Sequence, residues 1–253
     1  MQRVVWYRVA FFASLLLGWQ ALYLLRVWPD FLFPSPQSVA AMLVHSLRDG
    51  TLVRALGVSL TRLVIGYGMS LAIGLPLGLL TGSIRWLHQT IGALLLGLQT
   101  LPSICWLPLA LLWFGLNERA IIFVVVMGAV LSISLSAEDG VQHTPRQQIR
   151  AAKNMGASGW RLYLQVMLPA ALPGIVTGMK LGWSFAWRAL MAGELLYGHV
   201  GLGHLLMMGR ELNDMSQVIA VMAVIVALGL LVDRMAFAPL ERRVRERWGT
   251  GTL

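Results

Sequence analysis

Charged side chains inside long apolar runs are the residues of this 253-residue sequence best placed to do chemistry. A charge in hydrocarbon costs roughly 3 kcal/mol unless it is paired or hydrated, so each one is a functional candidate. The run Ala170 to Tyr197 holds the most. At about 100° per residue, Lys180, Ser184, Trp187, Arg188, Met191 and Glu194 fall on one broad side of a helix. That face suits a polar pathway, or a contact with a second copy of the chain. Arg188 or Lys180 would attract a passing anion, and Glu194 would neutralise one of them when the pathway is empty. Plainer roles compete: Lys180 can snorkel towards an interface, Arg188 and Glu194 can satisfy one another, and Trp187 can simply pack. For Arg62, a further charge in a span, an interfacial structural role is the stronger expectation.

Other chemistries find no support. His199 and His204 are five residues apart, which does not place them on one helix face, and neither sits in an H-E-x-x-H pattern, so a solvated loop role is expected. Cys105 is the sole cysteine; it allows no intrachain disulfide, and a buried structural thiol is expected. No metal site, G-x-S-x-G elbow or paired catalytic acid motif is present, which argues against an enzyme. No G-x-x-x-x-G-K-[ST] occurs, so the chain is expected to bind no ATP or other cofactor by itself.

The elements that carry these residues follow from composition. The chain is 57% apolar and 12% charged, which fits one membrane domain over 1–253 rather than soluble domains. We expect an all-α membrane protein with about six transmembrane helices: Val4–Leu25, Thr51–Gly82, Thr90–Gly115, Arg119–Ala137, Ala170–Tyr197 and Ser216–Val232. Arg3 and Arg8 before the first run also suit a signal peptide, but no small-x-small cleavage site follows, and a retained helix is favoured. Phe33-Pro34-Ser35-Pro36 breaks the chain before an amphipathic helix, Gln37–Leu47. Gly66, Gly68, Gly74 and Gly78 should let helices approach closely, Pro76 should kink the second span, and Pro102 and Pro108 should interrupt the third.

The longest polar interval, Thr144 to Pro169, lies between the fourth and fifth spans. It reads as two short helices joined at Gly156. Thr144 is expected to cap the first with Pro145 in its first turn and Gln147 completing a capping box. Ser158 is expected to cap the second, Trp160–Met167, and Pro169 to mark the next span. If this loop is cytoplasmic, twelve of the Lys and Arg residues fall inside (3, 8, 85, 146, 150, 153, 161, 234, 242, 243, 245, 247) against five outside (26, 48, 54, 119, 210). The asymmetry predicts both termini inside. It also accounts for the net charge of +9 without nucleic acid, whose binders spread aromatics among basic residues. The basic tail LERRVRERWG could also attract anionic lipid headgroups.

The stretch AAKNMGASGWRLYLQVMLPAALPG resembles the cytoplasmic EAA loop of ABC-importer permeases: Ala151, Ala152, Gly156, Val166, Leu168 and Pro169 fit its register, while Arg150 stands where the family usually has Glu. FPSPQSV and SFAWRALMAGELL resemble the branch that imports nitrate, sulfonates and taurine. The resemblance implies a coupling loop over 144–168, with Arg150, Ala151, Ala152, Lys153, Gly156 and Ala157 facing an ATPase. It further implies two ATPase subunits that bind ATP and Mg, a second permease copy as a homodimer, an extracytoplasmic solute-binding protein, and a bacterial inner membrane location. A secondary transporter or channel would explain the spans but leaves the ordered polar loop without a purpose.

Overall fold

The computed structural model describes residues 2–247, and every regular element among them is helical. The side chains of Arg3, Arg245 and Arg247, and the tail from Trp248, lie outside the described residues. The helices are α1 (Gln2–Leu24), α2 (Pro36–Arg48), α3 (Thr51–Ser83), α4 (Arg85–Gln99), α5 (Ser103–Phe114), α6 (Glu118–Gln142), α7 (Arg146–Asn154), α8 (Leu168–Tyr197), α9 (Leu202–Glu211), α10 (Met215–Val232) and α11 (Ala238–Arg247). Among the described residues, four runs are long and apolar enough to cross a membrane: α3, α6, Gly159–Leu196 and Met215–Val244. The pair α4 and α5, bent by 101°, would make a fifth. The bend falls at Leu101-Pro102, as the proline predicts, whereas Pro108 sits in the first turn of a helical segment and interrupts nothing. The remaining expected span is α1, whose 23 residues would reach about 35 Å; Arg3, Arg8 and Gln20 make it more polar than the others.

The chain divides into two units. The first comprises Met1–Ser59 and Glu194–Ala227. In it the Phe33–Pro36 corner is tied to α1: Trp19 Nε1 donates to the Pro34 carbonyl at 3.0 Å, and the Trp19 and Phe33 rings meet edge to face. Ser35 caps α2, accepting the Ser38 N–H at 3.0 Å, with Pro36 in the first turn. This is what the F-P-S-P-Q-S string asks for. Val39 is buried and Met42 and Leu43 are half-buried, whereas Leu47 is exposed. Asp49 caps α3 by accepting the Thr51 N–H at 2.9 Å, and that hydrogen bond holds its carboxyl below the ordinary range.

The second unit comprises Leu60–Gly193 and Leu228–Leu253. Its centre is α6, whose most apolar stretch is 67% buried, against 33% for α3. A column of small residues on α3, recurring every fourth position, seats α6. A Cβ at Gly66 would strike Val125; at Gly74 it would reach the Val130 carbonyl; at Gly78, the Ser134 carbonyl; at Gly82, the Glu138 carbonyl. Ser70 completes the column, its hydroxyl donating to the Gly66 carbonyl at 2.8 Å. Gly68 meets nothing and lies off the seam, a correction to the expectation, while Gly82 is an unexpected member. On the other side of α6, Gly174, Gly178 and Gly182 of α8 approach Gly140, Ser136 and Ile133. Gly78→Val is therefore expected to cost about 1–3 kcal/mol, because a backbone carbonyl cannot move aside as a side chain can. A lowered thermal midpoint in lipid nanodiscs would register it, and an unchanged one would contradict the seam.

Cys105 is not buried: it is exposed on the turn Ser103–Trp106 that follows the α4–α5 bend. An apolar neighbourhood in sequence did not mean burial here.

Candidate functional site

The polar loop between α6 and α8 begins with a shift of one residue. Pro145, not Thr144, occupies the N-cap of α7, and the cap makes no side-chain hydrogen bond. Thr144 is turned inward and buried, with its hydroxyl unbonded. Proline at the cap leaves its carbonyl to receive Gln148 N at 3.0 Å, so the helix starts without the capping box. The other end is as predicted. Gly156 takes φ +84°, Ala157 N donates to the Ala152 carbonyl at 2.9 Å, and Gly156 N donates to the Lys153 carbonyl at 3.0 Å. This pair of bonds is the Schellman closure, and a left-handed residue makes it possible.

Ile149, Ala152 and Ala157 are half-buried, while Arg150, Ala151, Lys153 and Gly156 are exposed. Met155 is 87% exposed, and Trp160 is 71% exposed. The loop thus presents two large apolar side chains among basic ones.

The expected second helix is not separate. Gly159–Leu162 runs through a π-turn, Tyr163–Met167, directly into α8, giving a continuous 38-residue run from Gly159 to Leu196. Ser158 stands at its N-cap without a side-chain bond. Pro169 does not break the run. Its ring would ordinarily collide with the carbonyl four residues back, Gln165, and remove a hydrogen bond there. Gln165 lies inside the π-turn, where bonding shifts to five-residue spacing, as in Leu168 N to the Tyr163 carbonyl.

The charged stripe of α8 does not stay together. Lys180 is half-buried, its Nζ 2.7 Å from Asp233 Oδ1 and 3.6 Å from Glu241 Oε2. Ser184 donates to the Lys180 carbonyl at 3.3 Å. Trp187 and Met191 pack against the core formed by Leu63, Ile121, Val125 and Leu190. Arg188 is exposed, its guanidinium 4.9 Å from the centre of the Phe185 ring. It lines a cavity of about 320 Å³ with Gln99, Thr100, Ser103 and Ser132.

Glu194 has a different setting, within the first unit. It is fully buried, accepting the Ser59 hydroxyl at 2.9 and 2.7 Å and the Gly203 N–H at 3.0 Å. Ser59 Oγ also receives Leu202 N at 2.9 Å. The turn from Gly198 to Gly203 is wrapped so tightly that a Cβ on Gly198, Gly201 or Gly203 would run into Glu194. His199 is exposed and His204 half-buried on this turn.

Several polar partners escaped the sequence reading. Arg62, 5% exposed, donates to Glu118 Oε1 at 2.9 Å. Asp233 and Glu241 hold Lys180. Glu138, 5% exposed, has its Oε1 2.5 Å from His88 Nδ1 and 3.4 Å from Gln142 Nε2. Glu138 sits one residue past the expected end of the fourth span, and His88 lies fifty residues earlier, so spacing could not join them. A cavity of about 1050 Å³ lies beside this pair, lined also by Gln99, Thr100, Ser132, Ser136, Thr177 and Phe185.

Residues 74–246 match the family described as binding-protein-dependent transport system inner membrane component. The chain belongs to this family. It is 29% identical to the taurine transport system permease protein TauC of Escherichia coli over 96% of this chain and 90% of that one. It is 29% identical to the nitrate import permease protein NrtB of Synechocystis, over 79% and 76%. A chain of the MetNI methionine ABC transporter, in an inward facing conformation, shares the fold with a TM-score of 0.66 at 23% identity, covering 77% of this chain and 96% of that one. This permease is accordingly a multi-pass inner-membrane component of a transport system.

Proposed function

We propose that this permease forms the solute pathway of an ATP-driven importer for a small anion such as a sulfonate, taurine or nitrate. The names of its relatives support that class of solute. A second copy would complete the pathway, two separate ATPase subunits would bind ATP and Mg, and an external binding protein would deliver the solute. Both termini and the loop 144–168 would then lie in the cytoplasm, as the placement of Arg and Lys favours.

The observation that carries the coupling role is α7 with its closure. A nine-residue helix is marginal in isolation, yet here it is closed at Gly156 and displays Arg150, Ala151, Lys153 and Met155 outward. With Ala152 and Ala157 at its rim, this is a firm, exposed surface suited to a partner. ATP binding would close the ATPase pair, move this loop and turn the pathway outward; hydrolysis would restore the inward state. Arg188 would attract the anion. Lys180, Ser184 and Trp187, on the same helix as Arg188, would support the shape of the pathway.

The test is ATPase activity in lipid nanodiscs after co-expression with the neighbouring ATPase and binding-protein subunits. Stimulation that requires both this chain and a loaded binding protein is expected. Solute movement by the pure chain down an ion gradient, without any ATPase, would overturn the reading.

A further inference from the structure

A further cavity, of about 340 Å³, lies wholly within the first unit, where the start of α3 meets the turn into α9. Four of its described lining residues can carry charge: Asp49, Arg54, His199 and His204. The acid among them is already committed. Asp49 Oδ1 accepts the Thr51 N–H at 2.9 Å, and His45 Nε2 lies 3.8 Å from Oδ2. Arg54 is exposed, and its guanidinium has neither a hydrogen bond nor an ion pair among the described residues. On the α9 side, His199 is exposed and His204 half-buried. The wall therefore offers a guanidinium and two imidazoles able to become cations, with no carboxylate left to answer them.

The lining is also apolar in part, with Ala55, Leu205 and Met208 supplying aliphatic surface. Such a wall fits an occupant with a short aliphatic stem and an anionic head. It is firm before anything docks. The turn Gly198–Gly203 is packed against the buried Glu194 carboxylate, and Ser59 Oγ receives Leu202 N at 2.9 Å. A surface fixed in advance loses little freedom on binding.

In the importer reading, with the loop 144–168 in the cytoplasm, the start of α3 and α9 face outward. Resting on that reading, we infer that this cavity receives an Asp or Glu side chain of the external solute-binding protein, with Arg54 as its charge partner. A Glu matches the wall best: its methylenes lie against Leu205 and Met208, and its carboxylate meets the guanidinium. A free anion would sit here half in water, because Arg54, His199 and Met208 are all exposed. A docked protein surface covers them and shuts that water out, the setting in which an interfacial Arg contributes most.

The test uses the importer assembled with its ATPase in lipid nanodiscs and follows association of the neighbouring binding-protein subunit by biolayer interferometry. Arg54→Glu is expected to weaken binding about tenfold at low salt, mainly through slower association, and by less at high salt. Arg119→Glu makes the same change in net charge at an exposed arginine outside the cavity, and should stay within about twofold of wild type. A second variant reads the contact itself. The chain's own lysines, Lys153 and Lys180, lie in the loop 144–168 and in α8. Arg54→Lys therefore adds an amine at the cavity, and carbodiimide should join it to an Asp or Glu of the binding protein, mapped by mass spectrometry. Equal weakening by Arg54→Glu and Arg119→Glu overturns the inference, as does a variant Arg54→Lys that binds yet forms no link at position 54. So does unchanged binding by Arg54→Glu, the result expected if a free anion occupies the cavity. In each of these cases the wild type still binds, and the importer reading stands; a wild type that binds no such subunit would sink both.

Discussion

Glu194→Ala is expected to lower the thermal midpoint of the chain in nanodiscs by on the order of 10 °C. The substitution removes an acceptor from Ser59 Oγ and Gly203 N, both buried. Leaving a buried donor without its acceptor costs about 1–3 kcal/mol for each group, because the groups left behind cannot turn to water. A second consequence is local: the turn Gly198–Gly203 is moulded around this carboxylate, so it should become open to protease. Glu194→Gln keeps one acceptor oxygen but points an NH₂ at donors, and should fall between the two. If Glu194 served only the pathway, alanine would spare the midpoint and reduce transport alone. A midpoint within about 2 °C of wild type would therefore sink the structural assignment.

Gly156→Val should separate transport from ATP hydrolysis in the assembled importer. A β-branched residue at φ +84° is strained by about 1–3 kcal/mol, so the Schellman closure opens and the last turn of α7 frays. No neighbour lies within 4 Å of the position, so the cost stays local and the thermal midpoint should hold. Transport per ATP hydrolysed is expected to fall at least about tenfold, since a lever loose by 1.4 kcal/mol already loses that factor. Gly156→Asn should retain most activity, because asparagine tolerates the left-handed region. Full transport by the valine variant would count decisively against this loop as the coupling element.

What could be read from the sequence was local. Gly156 announced the end of α7, and Phe33-Pro34-Ser35-Pro36 announced a break just before α2, because each acts on backbone within four residues. The column Gly66, Gly74, Gly78 announced a close helix contact, though not its partner, and Gly68 was drawn in because composition does not say which side of a helix a glycine faces. The charges of α8 were found, but their roles were not. Periodicity gives an angle around one helix; it does not say that Asp233 and Glu241 wait for Lys180, or that Ser59 waits for Glu194. The His88–Glu138 pair was invisible for the same reason, its members lying on different helices. Pro169 misled because a π-turn, which has no simple residue signature, absorbed its disruption.

The column of small residues on α3 has a mechanical consequence. Residues 66, 70, 74, 78 and 82 are Gly, Ser, Gly, Gly and Gly; one position later they are Tyr67, Leu71, Leu75, Leu79 and Ser83, and one earlier Ile65, Met69, Ile73, Leu77 and Thr81. A slide of α3 along α6 by a fraction of a turn, or a roll that turns the flanking bulky residues inward, would lift the small residues off the carbonyls of Val130, Ser134 and Glu138. The joint behaves as a keyway whose notches recur once per helical turn. Through any displacement smaller than a full turn, α3 and α6 are therefore expected to travel as a single strut.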